Sequence, residues 1–354
     1  MTDADQVRWP SESAVELFRA SLAATTGAVA RRLEVLRQYS KDRPTCADVA
    51  PVCDLPISFG RMLLAVYELK LYNILKSQCD WYASVMARRG LGSDQFREML
   101  EVWEMAIMAN IRAPESTELV RPLVMLRTRL DRQSGATLPG DERRPQVAPA
   151  TMQLVRLLLK QDRREAANLT LELTKDSGAL RVCEETVFPA LAEVGWRWQS
   201  NQITVADEHA ATDIARYIIF RLFDEAPRAE PVGHSALIAC VPNEEHELGA
   251  EVLANYLELM GWTTWFIGHS APQSDLVQAA KDVQPYFIFL AVTLIENLPD
   301  ARVLIDRLHG AVPASQIVLG GYAAIQAREA FESSVDRVAD SVSAAAQMAI
   351  QSSV

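Results

Sequence analysis

The chain has 354 residues, enough for two or three domains, and nearly half are apolar, so substantial cores are available. Its net charge of −11, with no sustained basic run, argues against a nucleic-acid-binding surface, and no apolar stretch approaches the length of a membrane span. Met1 to Ser13 lacks the basic-then-apolar character of a signal segment. The cysteines (Cys46, Cys53, Cys79, Cys183, Cys240) are odd in number and scattered without zinc spacing, which is the pattern of a cytoplasmic protein with free thiols.

Residues 1–132 read as a helical domain. Apolar residues recur at helical spacing over Ser13–Arg37, Phe59–Met86 and Asp94–Asn110, with breaks at Pro44, Pro51, Pro56, Gly90–Gly92 and Pro114. Residues 133–149 are polar and rich in Pro and Gly, the composition of a linker. Residues 150–226 are helical again, with segments Thr151–Lys160, Arg163–Lys175, Leu180–Gln199 and Val205–Phe223 that make a small four-helix bundle. Thr204 and Asp207 are the candidate caps of the last segment. From residue 232 to 354, strands alternate with helices. The strand segments are Ser235–Val241, Thr263–Ile267, Tyr286–Val292, Gln316–Leu319 and Val335–Val338, the pattern of an α/β doubly wound parallel sheet.

Glu244-Glu245-His246-Glu247-Leu248-Gly249 follows the first strand and precedes a helix. A loop in that position lies where open α/β sheets bind ligands. The imidazole of His246 offers one nitrogen to a metal while a neighbouring carboxylate holds the other and sets the tautomer. Gly249 lets a bulky ligand approach the backbone. All five histidines lie beyond residue 200, so the first half has no imidazole for a metal. A lone loop histidine is more often a solvated surface residue. Ala291-Val292-Thr293 and Gly320-Gly321, however, also end strands and so share one rim of the sheet with it.

These three segments resemble the Asp-x-His-x-x-Gly, Ser-x-Leu or Ser-x-Thr, and Gly-Gly pattern of cobalamin-binding domains in methionine synthase, the cobalamin mutases and the cobalamin photoreceptors. The resemblance implies a flavodoxin-like domain in which His246 ligates cobalt from below. It also implies that the displaced dimethylbenzimidazole lies in a slot near Thr293 and the glycines. Glu244 stands where the family has Asp, and Ala291 where it has Ser.

In the bundle, Trp198 is followed after nine residues by Glu208-His209. Beside a cobalamin domain this resembles the Trp-x9-Glu-His motif of the CarH-type light-sensing repressors, where a four-helix cap covers adenosylcobalamin. Carried over, Trp198 packs on the adenosyl group, Glu208 hydrogen-bonds it and His209 supports them. Gln199 replaces the histidine that follows the Trp in those repressors, and no winged helix-turn-helix is apparent before the bundle. The organisation is most similar to the photocobilins, which also bind biliverdin. Tyr67, Tyr72, Trp81, Tyr82, Phe96 and Trp103, with Arg61, Arg88, Arg89 and Arg97, are the candidate bilin surroundings, and an ordinary helical core is the competing reading. The resemblance therefore implies a non-enzymatic light sensor, homo-oligomeric and most simply dimeric, signalling through a protein partner. The alternative is a corrinoid carrier of a methyltransferase system.

Overall fold

A computed structural model describes residues 9–39, 55–132 and 147–352. Most of the expected linker, and Cys46 and Cys53, lie outside the described residues. The chain divides into two compact units.

The first unit is built of α1 (Glu12–Tyr39), α2 (Leu55–Leu69), α3 (Tyr72–Arg88), α4 (Ser93–Asn110) and α5 (Glu115–Arg132). The periodicity of Phe59–Met86 predicts one helix, but the chain forms two. Lys70 takes φ +57°, a left-handed conformation that cannot continue a right-handed helix. Pro56 falls in the first turn of α2, where its missing N–H costs nothing, and so does not act as a break. The aromatic residues are largely core. Phe59 packs against Trp103 and Tyr82 with ring centroids 5.8 and 5.5 Å apart. Tyr67 is buried and donates a hydrogen bond to the Leu119 carbonyl at 2.8 Å. Phe96, Tyr72 and Tyr82 are also buried, and Trp81 is half-buried. Burial pushes the Cys79 thiol up, away from the thiolate form.

The second unit opens with a helical cap: α6 (Pro149–Leu159), α7 (Arg163–Ser177), α8 (Ala179–Val182), a π-helical turn (Cys183–Val187), α9 (Phe188–Gln199) and α10 (Val205–Asp224). Thr204 and Asp207 cap α10 reciprocally. The Asp207 N–H donates to Thr204 Oγ1 at 3.2 Å, and the Thr204 N–H to Asp207 Oδ2 at 2.9 Å. Ile214, Ile218 and Leu222 recur at helical spacing and fill the cap core with Leu154, Leu158 and Val194.

Five parallel strands follow: β1 (Ser235–Cys240), β2 (Thr263–Gly268), β3 (Phe287–Ala291), β4 (Gln316–Gly320) and β5 (Arg337–Val338), in the order β2-β1-β3-β4-β5. That is the flavodoxin-like order, whose switch point lies between β1 and β3. The connections are α11 (Leu248–Leu259), α12 (Gln273–Val283), α13 (Leu298–Ala311), the short α14 (Tyr322–Gln326) and α15 (Arg328–Phe331), and finally α16 (Val342–Ser352). α11 and α16 cover one face, where Ala254, Leu257 and Ala346 pack on Ala236, Phe287 and Phe289. Val252 and Leu259 of α11 also belong to the cap core, so α11 is the shared wall of cap and sheet. Among the described residues, no helix is long and apolar enough to cross a membrane.

Candidate functional site

The loops after β1, β3 and β4 meet at one rim because their strands are neighbours in register: Cys240 pairs with Ala291, and Ala291 with Gly320. Glu244 ties the loop after β1 to the loop after β3. Its side chain is fully buried, and Oε1 accepts from the His246 N–H at 3.0 Å and meets His246 Nδ1 at 2.6 Å. Oε2 accepts from the Thr293 N–H (2.8 Å), the Leu294 N–H (2.9 Å) and the Asn297 amide (3.1 Å). Burial alone would raise the carboxyl pKa. The hydrogen bonds from His246, Leu294, Thr293 and Asn297 outweigh it and hold the group at about 2. The longer glutamate side chain therefore reaches the imidazole without difficulty. The same hydrogen bond raises the His246 pKa against the opposing effect of burial. With Nδ1 held by Glu244, Nε2 is the nitrogen that remains for a ligand, and the half-exposed ring lines a cleft of about 910 Å³.

Gly249, Ala291, Thr293, Gly320 and Gly321 line the same cleft. A Cβ on Gly320 would meet no atom within 4 Å, so the missing side chain leaves open space. Gly321 is constrained for a different reason. Its φ is +100°, and a Cβ there would lie 2.3 Å from the Val292 carbonyl oxygen.

The upper wall comes from the cap. Phe188, Leu191, Ala192 and Gly195 form one stripe of α9, and Glu208, Thr212 and Arg216 one stripe of α10. Glu208 Oε1 accepts from Thr212 Oγ1 at 2.9 Å. Of the three cap residues singled out by the sequence, only Glu208 lines the cleft. Trp198 is half-buried one turn beyond Gly195 on the same face of α9 and does not line the cleft, and His209 is exposed on α10. Sequence reasoning missed Arg216, although its i+4 spacing from Thr212, itself i+4 from Glu208, marks one helix face. Arg216 Nη1 bridges cap and sheet by donating to Glu247 Oε1 (2.6 Å) and Glu251 Oε2 (3.0 Å). The other oxygen of Glu247 meets His269 Nδ1 at 2.7 Å, so both of its oxygens are engaged. A second bridge runs from the π turn, where Glu184 Oε1 accepts from the Ser343 N–H at the start of α16 at 2.8 Å.

Two family models match the chain. Both are described as B12 binding domains, one over residues 234–349 and one over residues 152–222. The HTH-type transcriptional repressor CarH of Myxococcus xanthus is 31% identical over 151 residues, covering 43% of this chain and 50% of the relative. The HTH-type transcriptional repressor CarA of the same organism is 32% identical over 143 residues, covering 40% and 47%. The chain thus spans about half the length of the curated relatives it matches. Among solved structures, the monomethylamine corrinoid protein of Methanosarcina barkeri superposes with a TM-score of 0.48 at 15% identity, over 56% of this chain and 96% of that one. Residues 152–222 and 234–349 match B12 binding domains, and the cleft beside His246 is lined by residues of both segments.

Proposed function

We propose that this chain is a light sensor that holds adenosylcobalamin, with His246 as the lower ligand of cobalt. One observation carries the reading. In a segment matched to a B12 binding domain, a buried carboxylate holds Nδ1 of His246 and leaves Nε2 for the cleft. Such a partner fixes the ring orientation and raises the basicity of the ligating nitrogen. The donor set fits a metal already held in a ring. His246 would supply that metal with one protein nitrogen, Nε2.

When bound, the cofactor supplies a cobalt–carbon bond that light breaks. The chain supplies contacts that differ between the two states, which is the requirement for any ligand-driven shift. Glu208 offers an acceptor to the upper ligand, while Ala192 and Gly195 leave room for it. Trp198 and His209 would reach that ligand through a shift of the cap on loading. The relatives are named as repressors of the helix-turn-helix type, but a match over half their length does not carry that output to this chain. The proposed output is a change in self-association, read by a protein partner.

The position of Trp198 away from the cleft favours a second reading. An upper face without a covering Trp suits a corrinoid carrier of a methyltransferase system. Illumination separates the two. A sensor changes its elution in size-exclusion chromatography as the cofactor is photolysed, whereas a carrier elutes identically in the dark and after complete photolysis. The lower ligand is tested by electron paramagnetic resonance of the Co(II) form with nitrogen-labelled histidine. His246→Ala is expected to remove the imidazole coupling, and an unchanged coupling would refute the assignment.

Biliverdin as a second chromophore is the finer part of the reading, and its support is narrower. Tyr67, Tyr72, Tyr82, Phe96 and Trp103 serve as core, which leaves half-buried Trp81 to meet a pigment. Co-expression with a biliverdin source should add a far-red absorption band. A protein that stays free of that band at saturating biliverdin holds cobalamin alone, with these aromatics as core.

A further inference from the structure

We infer that the lower part of the cleft selects corrinoids by their nucleotide base, accepting an apolar dimethylbenzimidazole and disfavouring a purine such as adenine. The inference deepens the reading of His246 as lower ligand and rests on it. A histidine on cobalt displaces the cofactor's own base, and that base must then occupy the cleft below the ring.

The walls there follow from register and pleat. Side chains two apart along a strand share a face. One step below the rim row Cys240–Ala291–Gly320 therefore comes the row Ile238–Phe289–Val318, residues paired directly across β1, β3 and β4. These three line the cleft and are almost fully buried. Leu253 of α11 and Ala345 of α16 close the opposite side. One step deeper, Phe287 stacks on Phe289 with centroids 5.3 Å apart, which ends the slot in aromatic carbon. The polar side chains on the cleft stand on the cap or on rim loops and helix starts, as His246, Thr293, Tyr322 and Ser341 do. The strand backbone beneath the rim offers nothing further, because β1, β3 and β4 are paired in their ladders.

Dimethylbenzimidazole presents two methyl groups to such a slot. Adenine presents an amino group and ring nitrogens that would be buried without partners. The nitrogen released from cobalt is common to both bases, so the absence of a hydroxyl at Ala291 does not separate them. A buried, unsatisfied polar edge weakens binding by roughly tenfold or more.

The test measures affinities of the cofactor-free chain for three corrinoids with the same upper ligand: one carrying dimethylbenzimidazole, one carrying adenine, and cobinamide, which has no base. The benzimidazole form should bind about tenfold or more tighter than the adenine form. The bases leave cobalt with different intrinsic ease, so the decisive quantity is how that ratio changes when a hydroxyl is placed in the slot. Val318→Thr, nearly equal in volume, should shrink the ratio several-fold, and Ala345→Ser does the same from the helix side should the strand variant fail to fold. Histidine-ligated cobalt in all three complexes with a ratio near one, or a ratio unmoved by both variants, would overturn the selectivity alone. Absence of histidine ligation in every complex would overturn both the selectivity and the reading of His246.

Discussion

Replacing Glu244 by alanine should unfasten the rim and release the cofactor together. The carboxylate accepts five hydrogen bonds from two separate stretches of chain, the His246 loop and the segment from Thr293 to Asn297. Its loss leaves the Thr293 and Leu294 N–H groups and the Asn297 amide without this acceptor, and removing a buried hydrogen-bonded charge costs about 3–5 kcal/mol. Urea unfolding of the cofactor-free protein should show that loss, and the ring of His246, no longer held at Nδ1, should bind cobalamin weakly. A variant with wild-type stability and a wild-type histidine-ligated spectrum would refute the role. Acid titration gives a second measure. The carboxyl is held at about 2, whereas its ordinary value is 4.5. A depressed carboxylate contributes stability that is fully present above about 4.5 and is lost as pH falls from there toward 2. The difference corresponds to roughly 3 kcal/mol. Glu244→Gln should flatten the stability–pH curve across that window and leave it unchanged in shape above pH 5.

Gly321→Ala should be nearly as damaging, for a steric reason. The new Cβ would lie 2.3 Å from the Val292 carbonyl oxygen and 2.8 Å from its carbon, both backbone atoms, in a conformation with φ +100° and ψ 166° that belongs to glycine. Relief requires the loop after β3 to move, and Val292 is tied to β4 through the hydrogen bond from its N–H to the Gly320 carbonyl, 2.9 Å. We expect a destabilisation of about 3 kcal/mol or more, read from the urea midpoint, with loss of cobalamin binding. Gly320→Ala is the control. Its Cβ enters open cleft, so the fold should tolerate it while the lower slot narrows. A Gly321→Ala midpoint within about 0.5 kcal/mol of wild type would show that the loop yields freely.

The sheet was legible in the sequence to within a residue or two for four of its strands, because apolar runs bounded by Gly, Pro and polar loops are local signals. The cap helices were equally legible, down to the Thr204 and Asp207 caps. The break at Lys70 was not, because a single left-handed residue leaves no trace in the hydrophobic period. In the first unit, composition left open whether the aromatic residues wall a pigment or fill a core. Packing decided for the core at Tyr67, Phe96 and Trp103, since burial depends on which helices come together.

By itself the sequence determined the order of elements, the rim position of His246 and its loop, and the glycines opposite, all consequences of short-range pattern and strand ends. The bond from Glu244 to the His246 ring was expected from the sequence, but only the tertiary structure decided that the same carboxylate ties in Thr293, Leu294 and Asn297, which sit 49 to 53 residues away. The tertiary structure alone likewise decided which cap face meets the cleft. On α9 the residues that line the cleft are Phe188, Leu191, Ala192 and Gly195, and Trp198, seven residues past Leu191 on the same face, falls beyond the end of the cleft, an extent that hydrophobic periodicity alone does not reveal.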